Sequence, residues 1–151
     1  MSEVLVVDDE RRTRDLVGAW LKAAAIPYSE APDAETALSM MAGKPFAVVM
    51  IDKDMPGHGG LWLVEEIQKA HPAVAMLLAT GDDQIPPRVS LSRGIQGYLV
   101  KPFKRELVID AITAAISWHT VAQKQAAKTA GADPIDTWLQ GRAGRPPKEG
   151  S

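Results

Sequence analysis

Short apolar runs recur along this chain and alternate with segments of helical periodicity. There are five such runs, at Val4–Val7, Ile26–Glu30, Ala47–Ile51, Ala75–Ala79 and Gly97–Val100. Between them, apolar residues recur at three- and four-residue intervals, as they do on one face of a helix. Strands and helices that alternate in this way predict a parallel sheet with right-handed crossovers and helices on both faces. The pattern therefore predicts a doubly wound α/β fold.

Residues that start and stop helices divide the segments between the strands. Asp33 is placed to cap the second helix, and Pro72 ends the third. The fourth is the weakest, because Ile-Pro-Pro at 85–87 delays its start and Gly94 closes it soon afterwards. The fifth begins near Lys104, and good helix formers continue to about residue 129. We therefore expect an extended C-terminal helix. Its apolar face is predicted to hold Val108, Ile112, Ala115, Ile116 and His119.

Four of the apolar runs end at polar side chains. Asp8 and Asp9 follow the first run, Asp52 follows the third, Thr80 the fourth and Lys101 the fifth. In open parallel sheets, the carboxyl ends of the strands line one edge, and ligands bind in the crevice there. We therefore expect these five side chains to form one site.

The chemistry of this set suits a divalent cation and a phosphoryl group. Clustered carboxylates repel one another, and a hard cation removes that penalty. Mg²⁺ binds oxygen ligands and keeps several waters, so two direct carboxylates, a water-bridged acid and a backbone carbonyl would suit it. Lysine and threonine suit phosphoryl oxygens, and a carboxylate such as Asp52 is a known nucleophile in aspartyl-phosphate chemistry. Alternatively, Asp9 or Glu10 could simply begin the first helix.

Composition excludes several other kinds of site. The chain has 151 residues and no cysteine, so neither disulfides nor thiolate metal sites contribute. Its histidines, at 58, 71 and 119, lack the spacing of metal ligands. A net charge of −2 gives no argument for nucleic-acid binding. No apolar stretch approaches the roughly 20 residues that span a bilayer, and a strand begins too early for a signal peptide, so we expect a cytoplasmic protein.

The strand-end motifs closely resemble the receiver domain of bacterial two-component response regulators, including the chemotaxis regulators. They are Val-Asp8-Asp9-Glu, Ile-Asp52-Lys-Asp-Met-Pro-Gly, Ala-Thr80-Gly and Tyr98-Leu-Val-Lys101-Pro102-Phe. The resemblance covers the chain from residue 3 to about residue 120. It implies a five-stranded sheet in the flavodoxin-like order 2-1-3-4-5. We expect a receiver domain at 1–120 and a helical extension with a disordered linker or tail at 121–151.

The resemblance also implies a phosphorylation switch rather than an enzyme. Asp52 would accept a phosphoryl group from the phosphohistidine of a sensor histidine kinase or a phosphotransfer protein. Asp9, Asp52 and the backbone carbonyl of Asp54 would bind Mg²⁺ or Mn²⁺ directly, and Asp8 would bind it through water. The implied chemistry is limited to the chain's own phosphorylation and dephosphorylation.

A switching mechanism follows from the same resemblance. Thr80 and Lys101 would hold the phosphate, with the Thr80 position moving toward it and Tyr98 turning inward. The bond before Pro102 is usually cis in the family. The face formed by the fourth helix, fifth strand and fifth helix would be remodelled, and it is a candidate surface for a homodimer.

The turn after Asp52 departs from the family's pattern. Gly59 stands where the family usually has an acid, and His58 stands where a methionine is usual. We expect a looser turn with intact chemistry. Asp54 and Asp82 lie two residues beyond Asp52 and Thr80. We expect these two acids to tune the phosphate lifetime by repelling or orienting the attacking water.

Two alternatives stay open at this point. Asp52-Lys-Asp54 also matches the Asp-x-Asp motif of haloacid-dehalogenase-type phosphatases, although that family places the motif on its opening strand and follows it with Thr or Val. The extended helix either leads to an output domain beyond residue 120 that this chain lacks, or serves a stand-alone regulator as a dimerisation helix. Its Lys-Gln-Ala-Ala-Lys segment makes a poor coiled-coil seam, which favours the linker.

Overall fold

The apolar runs form one parallel sheet. The computed structural model describes residues 2–81 and 95–130. Within them, five parallel strands are hydrogen-bonded in the order β2-β1-β3-β4-β5, which confirms the predicted fold class and strand order. The strands are β1 (Val4–Val7), β2 (Tyr28–Ala31), β3 (Val48–Asp52), β4 (Ala75–Thr80) and β5 (Ile95–Val100).

Helices connect most of these strands, as the periodicity predicted. The described helices are α1 (Arg11–Ala23), α2 (Ala34–Gly43), α3 (Gly60–Ala70) and α4 (Arg105–Ala130). The predicted fourth helix lies outside the described residues, so α4 is the predicted fifth helix and confirms its extended length. The chain divides after Thr120 into two compact units, and the sheet belongs to the first. The predicted disordered tail also lies outside the described residues.

The edge strand β2 begins later than the sequence predicted. A strand was expected from Ile26, but β2 begins at Tyr28. The reason is the way in which α1 ends. Ala25 adopts a left-handed conformation with φ 59°, and the N–H of Ile26 donates to the carbonyl of Leu21 at 2.9 Å. Ile26 therefore satisfies a helix-terminal carbonyl instead of starting the strand.

Alternating strand residues build a core on each face of the sheet. One core holds Leu5, Val49, Ile51, Met76 and Leu78 with residues of α2 and α3. The other holds Val4, Val6, Val48, Met50 and Leu77 with residues of α1 and α4. Every residue of β1, β3 and β4 is buried, as expected for a parallel sheet covered on both faces. The central strands are therefore rigid supports for whatever follows them.

α4 is attached to the sheet by the apolar face that the sequence predicted. Val108, Ile112 and Ala115 are fully buried. Farther along the helix, the Nδ1–H of His119 donates to the carbonyl of Ala73, which precedes β4, at 2.7 Å. His119 therefore has a structural role in fastening α4 to the segment between α3 and β4. Across the described residues, no helix is both long enough and apolar enough to cross a membrane.

Two neighbouring glycines begin α3, and they differ in their surroundings. A Cβ built on Gly60 would lie 2.3 Å from the carbonyl oxygen of Asp52 and 2.7 Å from the Cα of Lys53. Only glycine allows the first turn of α3 to lie this close to the end of β3. Gly59, the N-cap residue, has an ordinary φ of −76° and no side chain to accept a helix N–H. A Cβ there would meet nothing closer than 3.7 Å.

Replacing Gly59 by Asp is therefore expected to stabilise the fold. The carboxylate supplies the missing cap at the positive end of α3, and the substitution also reduces the freedom of the unfolded chain. We expect Gly59→Asp to exceed Gly59→Ala by about 1 kcal/mol in the free energy of unfolding, measured by urea denaturation. Equal stabilities would show that the helix N-terminus does not use a cap. Gly43→Ala, at a site with no atom within 4 Å of a built Cβ, controls for loss of a glycine.

Candidate functional site: an acidic pocket at the carboxyl edge of the sheet

Three carboxylates converge where β1 and β3 end. Val7 pairs with Ile51, so Asp8 and Asp52, the next residue of each segment, lie side by side at one edge of the sheet. Asp9 completes the group, and ligand oxygens of the three acids lie within 4.8 Å of one another. Asp8 and Asp52 are each 3% exposed, whereas Asp9 is exposed. The site thus has two buried acids and one acid that faces solvent.

Local hydrogen bonds orient the two buried acids. Oδ1 of Asp8 accepts from the N–H of Glu10 at 2.9 Å, and Oδ1 of Asp52 accepts from the N–H of Asp54 at 3.0 Å. Aspartate commonly accepts the N–H two residues ahead in this way. The second oxygen of each carboxylate is then available to the pocket.

Lys101 fills part of the space between the buried acids. Its Nζ lies 3.2 Å from Oδ2 of Asp8 and 3.5 Å from Oδ2 of Asp52. Its backbone N–H donates to the carbonyl of Thr80 at 2.8 Å, and its peptide bond to Pro102 is cis. Burial alone would lower the pKa of Lys101, but the charges of Asp8 and Asp52 more than offset burial and raise it. The ammonium therefore stays charged.

The pocket holds three acids and one lysine, and this excess of acids is reflected in the pKa of Asp52. Burial raises the pKa of Asp52 from 3.8 to about 6, and the charge of Asp8 adds to that rise. The N–H of Asp54 and the ammonium of Lys101 act in the opposite direction but do not cancel it. The pocket therefore holds uncompensated negative charge.

A hard divalent cation fits this donor set. Carboxylate oxygens are the ligands that Mg²⁺ prefers, and Mg²⁺ commonly takes one or two of them while keeping several waters. The receiver domains that the strand-end motifs resemble bind Mg²⁺ at an acidic pocket. In the described part of the chain, the group of Asp8, Asp9 and Asp52 is the set of acids and histidines whose spacing suits a metal ion.

Thr80 reaches the same edge from β4. It is fully buried at the end of that strand, and its hydroxyl donates to Oδ2 of Asp54 at 3.4 Å. Asp54 therefore connects Thr80 to the loop after Asp52. Asp82, the second acid expected at the pocket mouth, lies outside the described residues.

Tyr98 lies farther back along β5. It pairs with Leu78 of β4 and packs, half-buried, against the core that also contains α2 and α3 residues. The structure thus brings Asp8, Asp9, Asp52 and Lys101 into one pocket with Thr80 beside it. Tyr98 lies on one face of the sheet, one register position behind Asp52, with β4 between their strands.

Sequence reasoning missed two residues that support the pocket. The guanidinium of Arg14, on α1, donates to the backbone carbonyl of Asp8 at 2.7 Å and to Oε1 of Glu30, on β2, at 3.1 Å. Arg14 shares the first turn of α1 with Arg11 and Arg12, so no sequence signal singled it out.

The histidines have other roles. The ring of His58 stacks on Trp62 with centroids 4.0 Å apart, and its Nε2 lies 3.6 Å from Oε2 of Glu35. Within the residues that the structure describes, the group that could hold a metal ion consists of carboxylates and contains no histidine.

Comparison with known proteins gives one consistent result. The profile of the "Response regulator receiver domain" family matches residues 4–113. The response regulator protein FleR of Pseudomonas aeruginosa is 31% identical over 112 residues, which cover 74% of this chain and 24% of FleR. The transcriptional regulatory protein AruR of the same species is 37% identical over 112 residues, covering 70% of this chain and 46% of AruR.

A solved structure shows the same fold. The Vibrio cholerae chemotaxis protein CheY4 superposes with a TM-score of 0.71 and 27% identity, over 76% of this chain and 98% of CheY4. The chain spans only about a quarter to a half of the curated regulators that it matches. Its motifs, its sheet order and its acidic edge agree with these matches, and the chain belongs to the response regulator receiver domain family.

Proposed function

We propose that this chain is a phosphorylation switch in which Asp52 accepts a phosphoryl group from a sensor histidine kinase or a phosphotransfer protein. Receiver domains are signalling domains that interact with such partners. The observation that supports the assignment is the buried carboxylate of Asp52, whose pKa is raised to about 6 beside two further acids and a lysine. A carboxylate with this excess of negative charge around it needs a cation before an anionic donor can approach.

The proposed reaction is a transfer between two protein side chains. A carboxylate oxygen of Asp52 attacks the phosphorus of the phosphohistidine, the P–N bond breaks, and its electron pair stays on the imidazole nitrogen. Mg²⁺ or Mn²⁺, held by Asp9, Asp52 and the Asp54 carbonyl with Asp8 acting through water, would supply charge neutralisation. Lys101 exchanges its carboxylate partners for phosphoryl oxygens.

Thr80 links phosphorylation to the rest of the domain. Its hydroxyl now donates to Asp54, and we propose that it moves to a phosphoryl oxygen once Asp52 is modified. Tyr98 would then turn inward on β5. β5 and α4 expose Val100 and Leu107, which are 44% and 58% exposed, on the proposed signalling and dimer face. FleR and AruR are much longer than this chain, which supports an output domain after residue 120, whereas the match to 98% of CheY4 supports a stand-alone regulator.

The assignment is tested by labelling with a small phosphodonor. Incubation with acetyl phosphate and Mg²⁺ is expected to add the mass of one phosphoryl group to the wild type, as measured by intact mass spectrometry. Asp52→Asn is expected to gain none, and Asp54→Asn, a change in the same loop, is expected to be labelled. Labelling of Asp52→Asn would contradict the proposal. Repeated turnover of a small phosphate ester would instead support the phosphatase alternative, in which Asp54 is a general acid.

Asp54 is expected to control how long the phosphoryl group lasts. Its carboxylate holds the hydroxyl of Thr80 and flanks Asp52. Replacing Asp54 by Ala removes roughly one hydrogen bond, about 0.5–1.5 kcal/mol, which corresponds to about 2- to 10-fold in rate. Loss of radiolabel would measure the hydrolysis rate, which falls if Asp54 orients the attacking water and rises if it repels it. An unchanged hydrolysis rate in the double variant Asp54→Ala, Asp82→Ala would refute the proposal that these two acids tune the phosphate lifetime.

The charge on Asp52 is expected to make the cation-free fold less stable at neutral pH. Because its folded pKa is about 6 and its usual value is 3.8, the unfolded chain loses this proton first as the pH rises. The fold therefore loses stability as the pH rises from 3.8 to about 6. In EDTA at about pH 7, Asp52→Asn is expected to exceed the wild type by about 1–3 kcal/mol in the free energy of unfolding, and the gap should narrow toward about pH 4.

Urea denaturation at several pH values measures this gap. Asp110→Asn, at an exposed position on α4, corrects for the general effect of removing one negative charge. A gap that is independent of pH, or one that widens as the pH falls, would disagree with an ionised Asp52 as the destabilising group.

A further inference from the structure

Arg14 occupies an unusual position for an arginine of a surface helix. Its side chain is only 15% exposed, and its guanidinium makes two directed contacts. Nη1 donates to the backbone carbonyl of Asp8 at 2.7 Å, and Nε donates to the carboxylate of Glu30 at 3.1 Å. Because the guanidinium is planar with its donors in a fixed fork, the contact with Glu30 also sets the direction of the contact with Asp8.

Side-chain contacts already support the segment that Arg14 reaches, since Asp8 accepts from the N–H of Glu10 and contacts Lys101, and Glu10 accepts from the hydroxyl of Thr13. Asp8, Asp9 and Glu10 connect β1 to α1, and the N-cap residue Glu10 makes no capping hydrogen bond with its side chain. The Asp8 backbone is tied to β2 by its N–H, which donates to the carbonyl of Ala31 at 3.2 Å. Arg14 ties the other side of the same residue, at its carbonyl. These two bonds fix the backbone from which Asp8 and Asp9 project.

We propose that Arg14 is a positioning residue for the cation site. By holding the carbonyl of Asp8, it keeps the carboxylates of Asp8 and Asp9 turned toward Asp52 before a cation arrives. Glu30, on the edge strand β2, orients the guanidinium and balances its charge. This inference rests on the proposed function, since it concerns the Mg²⁺ that the acidic pocket would bind.

The charge and the geometry of Arg14 have opposite effects on cation binding, which allows them to be separated. A positive guanidinium repels a nearby Mg²⁺, so removing only its charge would tighten binding. Losing the contact with Asp8 would release the turn and weaken binding, because residues that orient metal ligands typically contribute tenfold or more to affinity. A loss of affinity in a variant without the guanidinium therefore reports positioning.

A purely structural Arg14–Glu30 pair would behave differently from a positioning residue. Such a pair would change the free energy of unfolding but leave the Mg²⁺ affinity of the folded molecules unaltered. The decisive quantity is therefore the dissociation constant of Mg²⁺, measured by isothermal titration calorimetry on the full chain well below the unfolding midpoint.

The experiment compares three variants with the wild type. Arg14→Met is expected to weaken Mg²⁺ binding by about 10-fold. Arg14→Lys keeps the charge but cannot make the forked pair of contacts, so an intermediate loss is expected. Arg12→Met, at an exposed position on the same helix, removes the same charge and is expected to match the wild type within about two-fold.

Each outcome of the titrations either supports or overturns the positioning role of Arg14. Wild-type affinity, or tighter binding, in folded Arg14→Met would overturn the inference while leaving the proposed function intact. If Arg14→Met does not fold, Arg14→Lys carries the test, and an affinity equal to that of the wild type overturns the inference. A wild type that binds no Mg²⁺ would contradict the proposed function and this inference together.

Discussion

Repulsion among three carboxylates is the constraint on which this site depends. Their oxygens lie within 4.8 Å of one another, and two of the three acids are buried. Backbone N–H groups and Lys101 offset part of the charge but leave the pKa of Asp52 at about 6. The folded chain is thus arranged to gain stability from whatever neutralises the pocket. A divalent cation bound at these oxygens would act directly on this electrostatic imbalance.

The stability of the buried sheet allows these like charges to lie together at its edge. β1 and β3 are neighbours in space although α1, β2 and α2 separate them along the chain, and their register places Asp8 beside Asp52. Both strands are fully buried and covered by helices on the two faces of the sheet. The apolar core below the site offsets the cost of placing like charges at its edge. In both strands, buried apolar residues therefore form the core, and the acids lie at the carboxyl end.

The sequence was sufficient for the features that depend on periodicity and strand-end chemistry. The strand order, the buried face of α4 and the cap at Asp33, which accepts from the N–H of Thr36 at 2.7 Å, agree with the patterns that predicted them. The start of β2 was misplaced, because the left-handed turn at Ala25 depends on how α1 ends rather than on apolar spacing. Arg14 was overlooked because its role depends on a contact with a strand end, and surface arginines with and without such contacts look alike in a sequence. The roles of the individual acids stay predictions.

The missing side chain at Gly60 has a mechanical consequence. Because the first turn of α3 lies directly against the backbone of Asp52, no gap is available to absorb a displacement of the strand end. α3 would move with the end of β3 as a rod about 16 Å long. Beyond its far end, the carbonyl of Ala73 is bonded to His119 on α4. The backbone at Asp52 is therefore connected to α4 through α3 and the hydrogen bond between Ala73 and His119, in addition to its contacts within the sheet.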